Sequence, residues 1–501
     1  MPIPVHYGDN MRILYIDIDS LRPDHLGCYG YHRNTSPNID NLAAEGVRFT
    51  NCYATDVPCL PSRTALFSSQ FGIHNGVVNH GGVQADIFPE GRDRGFKSSY
   101  SQNAWMTQVR KAGYRTVCIS PFAERHSAWH FNIGFNEIYN TGMSGQETAE
   151  VVGPVVTDWI DRNGAGDNWF MHLNFWDPHT PYRTPESYGN PFEEEPVDGW
   201  MTEEIRAAHY DSFGPHSAQE PWGYFPHPNL GRFPRVPTDI STMEDYKQWI
   251  DGYDVGVKYV DDHIGQVVAA LEKQGVLDDT AIIVSADHGE NLGELNVYGD
   301  HQTADYATGR IPLIIRWPGK DKGTVVDGLC YNVDLASTVT ELCNQACPDT
   351  WDGESFAHVL DGGDWEGRET VVVSQGAWAC QRGVRFGPWM LIRTWHDGLK
   401  NFPPVLLFNI EEDPHETNDL AAAHPDVVNQ GIAHLEKWQS DCIASSRTGI
   451  DPMGIVLKEG GPLHTRSDLE PYCERLRETG RSHHADRLMA THGKAANHQA
   501  Q

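Results

Sequence analysis

The chain has 501 residues, a length that fits one large domain with a smaller one, or two or three domains. Apolar residues make up 39% of it and include 15 Trp, so it can build a large hydrophobic core and is not a disordered chain. The formal net charge of −31 excludes nucleic acid and anionic membranes as expected partners, because a strongly negative surface repels both.

The N-terminal residues and the cysteines bear on the compartment. Residues 1–10 are polar and lead straight into a strand, so the sequence as written indicates a cytoplasmic protein, or a periplasmic or secreted one if a signal was removed. The ten cysteines are scattered and include no CxxC pair, which argues against a zinc finger and mildly favours a reducing compartment. Nothing in the sequence indicates an oligomeric state.

Strands and helices alternate through the first part of the chain. Buried strands are predicted at 12–19, 47–53, 114–120 and 169–175, and helices at 35–46, 104–112 and 148–163. This alternation predicts an α/β fold, in which a large, mainly parallel or mixed sheet is sandwiched by helices.

Residues 177–243 interrupt the alternation with a Pro-rich and Gly-rich stretch that carries an acidic run at 193–195. A long insertion of this kind is typical of a substrate cleft or lid, and the alternative is a surface excursion without a role. A long helix at 242–274, strands at 281–286 and 311–317 and a helix at 333–342 follow.

After about residue 366 the pattern changes to short strands joined by turns, at 370–373, 381–386, 389–394 and 405–409. A helix at 426–440 and a polar tail at 480–501 complete the chain. We therefore predict a catalytic domain at 1–366 and a smaller α+β subdomain at 367–501 that carries an antiparallel sheet.

Candidate catalytic groups stand where strands end. Asp19, Asp287 and His288 each follow a buried strand, and Cys59 follows another within a few residues. The carboxyl ends of parallel strands share one edge of the sheet, so these groups are expected to converge. Two carboxylates and an imidazole suit Ca²⁺, Mg²⁺ or Mn²⁺. Taken singly, each residue has a structural alternative as a turn or capping residue.

The segment around Cys59 reads as a helix start. Pro61 suits the first helical position, which makes Leu60 the N-cap and leaves Cys59 just outside the helix. The free amides of that helix would favour an anionic substrate. The alternative is a buried structural cysteine in a turn.

Together these motifs resemble the type I sulfatase family of the alkaline phosphatase superfamily. The resemblance runs in order from about residue 11 to about 440 and rests on CLPSR (59–63), the 19–30 segment, PNIDNLA (37–43), SADHGE (285–290), RIPLII (310–315) and LFN with DPHETNDLA (407–421). It implies an alkaline-phosphatase-like fold.

The resemblance also implies the chemistry. A formylglycine-generating maturation enzyme would oxidise Cys59, and the hydrated aldehyde would be the nucleophile that attacks sulfur. A divalent cation, Ca²⁺ with Mg²⁺ or Mn²⁺ as alternatives, would be held by Asp19, Cys59, Asp287 and His288. Arg63 would orient the diol.

Two further histidines match family positions. His179, in the segment 176–182, matches a substrate-contacting histidine and is assigned as a sulfate contact. His301, in YGDH (298–301), lies where the family has a Lys or His near the leaving group and is assigned as general acid. The alternative for each is a loop histidine without a role.

Three departures from the family pattern affect the site. Asp19 is followed by Ser20 rather than a second Asp, and His288 stands where many sulfatases have Asn. The Asp-His pair at 287–288 resembles related phosphonate monoester hydrolases.

The third departure is a missing Gly-Lys-Trp-His-Leu-Gly segment, whose Lys and His fall on Pro121 and Ala123. Arg125 and His126 are the candidates to replace them. His80, and also His74, are candidate substrate contacts after the Cys59 helix.

The leading hypothesis is a sulfatase that hydrolyses a sulfate ester on a sulfated carbohydrate. The sugar is suggested by the abundant Trp and the 177–243 insertion. The alternatives are a phosphonate or phosphate ester hydrolase of the same superfamily, and a non-catalytic protein that binds a sulfated ligand through an unmodified Cys59.

Overall fold

The structure is a computed structural model that describes residues 11–89, 98–226, 230–320 and 322–499. The polar segment 1–10 lies outside the described residues, as do residues 500 and 501 of the predicted tail. Among the helices that are described, none has the length and apolar character needed to cross a bilayer.

The strands, in chain order, are β1 Arg12–Ile18, β2 Val47–Tyr53, β3 Asp56–Val57, β4 Arg115–Ile119, β5 Glu137–Tyr139, β6 Trp169–Phe175, β7 Thr280–Ala286, β8 Asn291–Leu292, β9 Tyr298–Asp300, β10 Arg310–Arg316, β11 Thr324–Val326, β12 Cys330–Tyr331, β13 Thr370–Gln375, β14 Cys380–Phe386, β15 Trp389–His396 and β16 Val405–Asn409.

The large sheet has the order β11-β2-β10-β7-β1-β6-β4-β5, and β12 also pairs with β2. β1 lies at its centre and is parallel to both β6 and β7. β10 is antiparallel to its two neighbours, so the sheet is mixed but mainly parallel. The central strands are buried on both faces, which explains their nearly continuous apolar sequences. The predicted α/β class is confirmed.

The small sheet has the order β16-β15-β14-β13-β3 and is antiparallel from β13 to β16, as the pattern after residue 366 predicts. Its fifth strand, β3, comes from the N-terminal part of the chain and runs parallel to β13. The loop that leads to Cys59 is therefore attached to the C-terminal sheet. The domain boundary at residue 366 remains a prediction.

The helices, in chain order, are α1 Pro37–Ala44, α2 Cys59–Ser68, α3 Gly72–Asn75, α4 Ser99–Asn103, α5 Trp105–Lys111, α6 Phe122–Arg125, α7 Ala149–Asn163, α8 Glu203–Tyr210, α9 Met243–Lys273, α10 Tyr306–Gly309, α11 Asn332–Leu342, α12 Pro425–Ser445, α13 Pro452–Lys458, α14 Leu469–Glu478 and α15 Ser482–Gln499. α9 begins with a full capping box, in which Thr242 and Asp245 satisfy each other's backbone amides.

The 177–243 insertion is mostly irregular, with α8 as its longest helix. The Thr202 side chain caps α8 by accepting from the amide of Ile205. Lys400, far along the chain, holds one turn of the insertion by donating to the Pro215 carbonyl. The insertion is therefore packed against the C-terminal part rather than projecting from the surface.

Two local predictions are wrong. Cys59 is the first residue of α2 and Pro58 is its N-cap, because the Ser62 amide donates to the Pro58 carbonyl at 3.0 Å and closes the first turn earlier than expected. The polar segment after residue 480 is helical as far as Gln499 and not loosely held, because Ala485 and Leu488 are buried against α14.

Candidate active site

The two predicted carboxylates meet because their strands are neighbours. Ile18 is in register with Ala286 where β1 and β7 end, so Asp19 and Asp287 emerge side by side from the same edge of the sheet. Both are fully buried or nearly so. The start of α2 brings Cys59, which is only 2% exposed, to the same point.

Arg63, one turn into α2, binds three carboxylates. Its Nη1 donates to Asp19 Oδ2 at 2.8 Å and to Asp287 Oδ2 at 2.6 Å. Its Nε and Nη2 donate to the two oxygens of Asp17 at 2.8 and 3.2 Å. The guanidinium is fully buried, so these charge-assisted bonds fix the carboxylates and the start of α2 relative to each other.

His288 faces the cysteine. Its Nδ1 lies 2.7 Å from the Gly289 carbonyl, to which it donates, so Nε2 is the unprotonated nitrogen. Nε2 lies 3.2 Å from Cys59 Sγ and 3.2 Å from Asp287 Oδ2. Burial, with the charges of Asp19 and Asp287, raises the pKa of the Cys59 thiol, so the sulfur keeps its proton at neutral pH.

The four predicted metal ligands form one donor set. One ligand atom from each of Asp19, Cys59, Asp287 and His288 lies within 4.8 Å of the others, and all four residues are buried. Two carboxylate oxygens and an imidazole nitrogen match the ligand preferences of Ca²⁺, Mg²⁺ and Mn²⁺. The residues therefore fit the cation that the sequence predicts.

The electrostatics of this pair of carboxylates also fit a cation. Burial raises the pKa of Asp19, but the charge and hydrogen bond of Arg63, together with the two neighbouring histidines, hold that pKa below its ordinary range. Burial and the Asp19 charge together raise the pKa of Asp287 to about 7, although Arg63 opposes them. One guanidinium thus leaves an excess of buried negative charge at the donor set, which a divalent cation would compensate.

His179 and His301 stand on two sides of the donor set. His179 Nε2 is 4.0 Å from Asp19 Oδ1, and its Nδ1 donates to the Thr180 carbonyl. The His301 ring is 4.0 Å from the His288 ring, measured between centroids, and its Nδ1 is 3.1 Å from Glu290 Oε2. Burial lowers the pKa of both imidazoles, and nearby carboxylates, Asp19 at His179 and Asp300 at His301, oppose that shift.

A line of contacts leads from His301 away from the donor set. Its Nε2 lies 3.4 Å from Asp300 Oδ1, and the other oxygen of Asp300 is 3.0 Å from His216 Nε2. Asp300 therefore joins the predicted general acid to a histidine of the 177–243 insertion.

A cavity of about 670 Å³ opens over Cys59, a size typical of a small-molecule site. Its lining combines residues from the catalytic loops, the insertion and the C-terminal part: Cys59, His80, Arg125, His126, Ser127, Ser144, His179, Thr180, Pro181, His216, Pro221, Trp222, Asp300, His301, Trp378, Leu463 and His464.

The candidate replacements for the missing family segment line this cavity. Arg125 is held over the Trp176 ring at 5.0 Å and donates to the Ser144 carbonyl at 3.3 Å. His80 and His126 pack with their rings 4.9 Å apart. Both have a buried Nε2 with no hydrogen-bond partner among the described residues.

One candidate lies elsewhere. His74 lies 2.7 Å from Asp352 Oδ2 and 2.9 Å from the Cys442 carbonyl, away from the cavity lining. It is a structural residue that attaches α3 to α12, so its prediction as a substrate contact is wrong.

Sequence reasoning missed two groups of residues. Asp17 precedes Asp19 by two positions and therefore shares its side of β1, a spacing that could have identified it. Trp222, His216, Trp378 and His464 reach the cavity from distant parts of the chain, and no local pattern marks them.

Comparison with protein families assigns the chain. The Sulfatase family model matches residues 12–345, about two thirds of the chain. The chain belongs to the sulfatase family. It is accordingly a sulfuric ester hydrolase, and the predicted family is confirmed. A second family model, N-sulphoglucosamine sulphohydrolase, C-terminal, matches residues 293–440 of this sulfatase.

Individual relatives are distant but cover most of the chain. An N-acetylgalactosamine-6-O-sulfatase of Bacteroides thetaiotaomicron is 25% identical in an alignment 500 positions long, gaps included, that spans 85% of this sulfatase and 92% of the relative. The multifunctional alkaline phosphatase superfamily protein PehA of Trinickia caryophylli is also 25% identical, in an alignment 453 positions long that spans 77% of this sulfatase and 85% of the relative.

Solved structures share the fold. One, determined in complex with its substrate D-glucosamine-2-N,6-O-disulfate, superposes with a TM-score of 0.69 at 19% identity and covers 89% of this sulfatase and 99% of that chain. A phosphonate monoester hydrolase from Silicibacter pomeroyi superposes with a TM-score of 0.64 at 22% identity and covers 88% and 96%.

Proposed function

We propose that this sulfatase removes sulfate from a sulfated carbohydrate, with the reaction centred on position 59. The observation that supports this most is the cavity over Cys59, which places this one predicted cation ligand beside a guanidinium, several imidazoles and two indoles, with the other three ligands buried behind it. Such a lining suits an anionic ester group attached to a ring with apolar faces. The relatives that act on N-acetylgalactosamine and N-acetylglucosamine 6-O-sulfates point to the same class of substrate.

The nucleophile and the cation follow the family pattern. A maturation enzyme converts Cys59 to formylglycine. The hydrated aldehyde of formylglycine supplies an oxygen nucleophile in place of the thiol. Asp19, Asp287, His288 and residue 59 hold a divalent cation, Ca²⁺, Mg²⁺ or Mn²⁺, which supplies charge stabilisation to the sulfuryl oxygens. Arg63 keeps both carboxylates in place through its Nη1.

The remaining residues divide between the sulfuryl group and the leaving alcohol. His179, 4.0 Å from Asp19, contacts the sulfuryl oxygens, with Arg125, His126 and His80 as further substrate contacts. His301 is the general acid that gives a proton to the leaving oxygen, because Asp300 connects it to the part of the cavity farther from the cation ligands.

The test is a desulfation screen on defined sulfated oligosaccharides and sulfated monosaccharides, with 4-nitrophenyl sulfate as a simple ester. Release of sulfate from at least one sugar, with a higher kcat/KM than for the aryl ester, is the expected result. If the enzyme cleaves the aryl ester but desulfates no sugar in the panel, the carbohydrate assignment is refuted.

A second activity on phosphonate or phosphate esters has one specific support. His288, which follows Asp287 in the donor set, resembles the Asp-His pair of the phosphonate monoester hydrolases. One enzyme preparation assayed on matched aryl sulfate and aryl phosphonate esters decides between the two. A dominant phosphonate turnover would replace the sulfatase assignment.

Mass spectrometry of the Cys59 peptide from the native host tests the proposed formylglycine. Formylglycine lowers the mass of the residue and adds a hydrate in equilibrium with the aldehyde. An intact thiol in an active preparation would refute formylglycine as the nucleophile.

A further inference from the structure

One part of the active-site cavity is lined by three aromatic rings and a leucine, and not by charges. We call it the aromatic wall, and it consists of Trp222, Trp378, Leu463 and His464. Trp222 belongs to the insertion, Trp378 to the turn between β13 and β14, and the other two to the segment between α13 and α14. Trp222 and Trp378 are both partly exposed, so their rings are accessible to a ligand.

Packing fixes the orientation of Trp378. Its ring stacks on His464 with centroids 4.3 Å apart and an interplanar angle of 20°. It meets the His216 ring edge to face at 5.3 Å. His464 Nε2 in turn lies 2.9 Å from His80 Nδ1, so the wall is tied to the loop that follows the Cys59 helix. An indole held in this way loses little conformational entropy when a ligand binds.

Gln375 connects the aromatic wall to the catalytic centre. Its side-chain oxygen accepts from the amides of Ala377 and Trp378 at 2.7 and 3.2 Å. Its side-chain nitrogen donates to the His301 carbonyl at 2.7 Å. A single buried side chain therefore sets the position of Trp378 relative to the proposed general acid.

The wall is electrically neutral at pH 7. Burial lowers the pKa of His464 to about 4 and the pKa of His80 well below its ordinary value. Among the described lining residues, the side chains with a permanent formal charge are Arg125 and Asp300. The wall is therefore suited to the apolar C–H face of an uncharged pyranose ring and not to a second sulfate or a carboxylate.

We infer that Trp378 determines substrate specificity by stacking on the pyranose ring of the leaving sugar while the sulfuryl group lies at residue 59. The inference rests on the proposed function, since it requires that the substrate be a sulfated sugar. Beyond the proposed function, the inference names the residue that binds the sugar ring and requires that this ring carry no charge.

The experiment compares Trp378→Ala, Trp378→Leu and Trp378→Phe with the wild type on N-acetylgalactosamine 6-sulfate and N-acetylglucosamine 6-sulfate. Ala and Leu are expected to raise KM about tenfold for the sugar that the enzyme prefers, because a ring face of apolar contact is lost. We expect kcat to change less than about threefold, and Phe to restore KM to within about threefold of the wild type, because an aromatic face is kept.

Two controls separate stacking from structural damage. Trp395→Ala removes a 42% exposed indole from the same small sheet and is expected to leave KM unchanged. Inhibition by inorganic sulfate reports the sulfuryl site alone, and its inhibition constant is expected to be the same in all variants.

The inference is overturned if Trp378→Ala and Trp395→Ala have equal KM values, or if the inhibition constant for inorganic sulfate rises together with KM. It is also overturned if the wild type hydrolyses 4-nitrophenyl sulfate but no sugar of the full desulfation panel. That last outcome contradicts the proposed function as well, and it is recognised because the wild type itself fails.

Discussion

Replacing Arg63 with an uncharged residue should lower the free energy of unfolding, and the loss should be largest near neutral pH. Arg63→Met leaves Asp17, Asp19 and Asp287 buried without the guanidinium that makes four hydrogen bonds to them. Breaking a buried ion pair from one side costs about 3–5 kcal/mol. A stranded carboxylate can instead take up a proton, which limits the penalty per group to about 4 kcal/mol at pH 7. We therefore expect a loss of at least about 4 kcal/mol, the limit for one of the three carboxylates.

The pH dependence of this loss in unfolding free energy has a definite sign. In the wild type Arg63 lowers the pKa of Asp19, so this carboxylate contributes stability above its unfolded pKa that is lost as the pH falls. Above about pH 4 that wild-type contribution is constant, whereas the stranded carboxylates of the variant must take up protons, at a cost that rises with pH. The difference in unfolding free energy between wild type and Arg63→Met should therefore be largest at pH 7 and above, and should shrink towards pH 4.

The assay is urea unfolding followed by tryptophan fluorescence between pH 4.5 and 7.5, with EDTA present so that no cation replaces the guanidinium. Arg162→Met is the matched control, because Arg162 pairs with Asp158 on the exposed face of α7 and should contribute less than about 1 kcal/mol. Equal midpoints for the two variants at pH 7.5, or a difference that grows as the pH falls, would refute the reasoning.

Three further predictions concern the site and its supports. Chelation of the cation should abolish turnover. A cation restored at a hundred times its Kd should stabilise the fold by about 2.7 kcal/mol, measured from unfolding midpoints. Undiminished turnover in EDTA would contradict the proposed cation site. Burial lowers the pKa of Lys400 to about 7, so wild-type stability should rise between pH 7 and 10 by up to about 1.4 kcal/mol per pH unit. Lys400→Met should flatten that slope in urea titrations, whereas the exposed Lys437→Met should keep it. Gly289→Ala would bring a Cβ to 2.0 Å from the Ala307 carbonyl, so it should displace His288, lower kcat and destabilise the fold by about 3 kcal/mol; an unchanged kcat would count against it.

The donor set could be predicted from sequence because topology decides it. Asp19 and Asp287 each follow a continuous apolar strand, and neighbouring parallel strands must end at the same edge of a sheet. The spacing of Arg63 from Cys59 on a helix similarly places both on the same side. Both patterns are local, and each fixes where the side chains lie relative to one another.

The outer parts of the cavity could not be predicted in the same way. His80 and His464 are in contact although 384 residues separate them, and a contact of that range leaves no periodic signal in either segment. Trp378 lies in the turn between β13 and β14, where the sequence does not indicate whether a tryptophan is buried or faces a cavity. The helical C-terminal segment was also missed, because its apolar stripe is narrow and lies among many polar residues.

The attachment of the Cys59 loop to the C-terminal sheet has a consequence during protein synthesis. β3 pairs with β13, which leaves the ribosome only after roughly 300 more residues, or about 15–60 s at 5–20 residues per second. Until then the loop has no sheet to join and its cysteine remains reachable. In the finished fold Cys59 is 2% exposed at the bottom of the cavity. The proposed maturation enzyme therefore has its best access to Cys59 before β3 and β13 pair, a period that includes the synthesis of the residues between them.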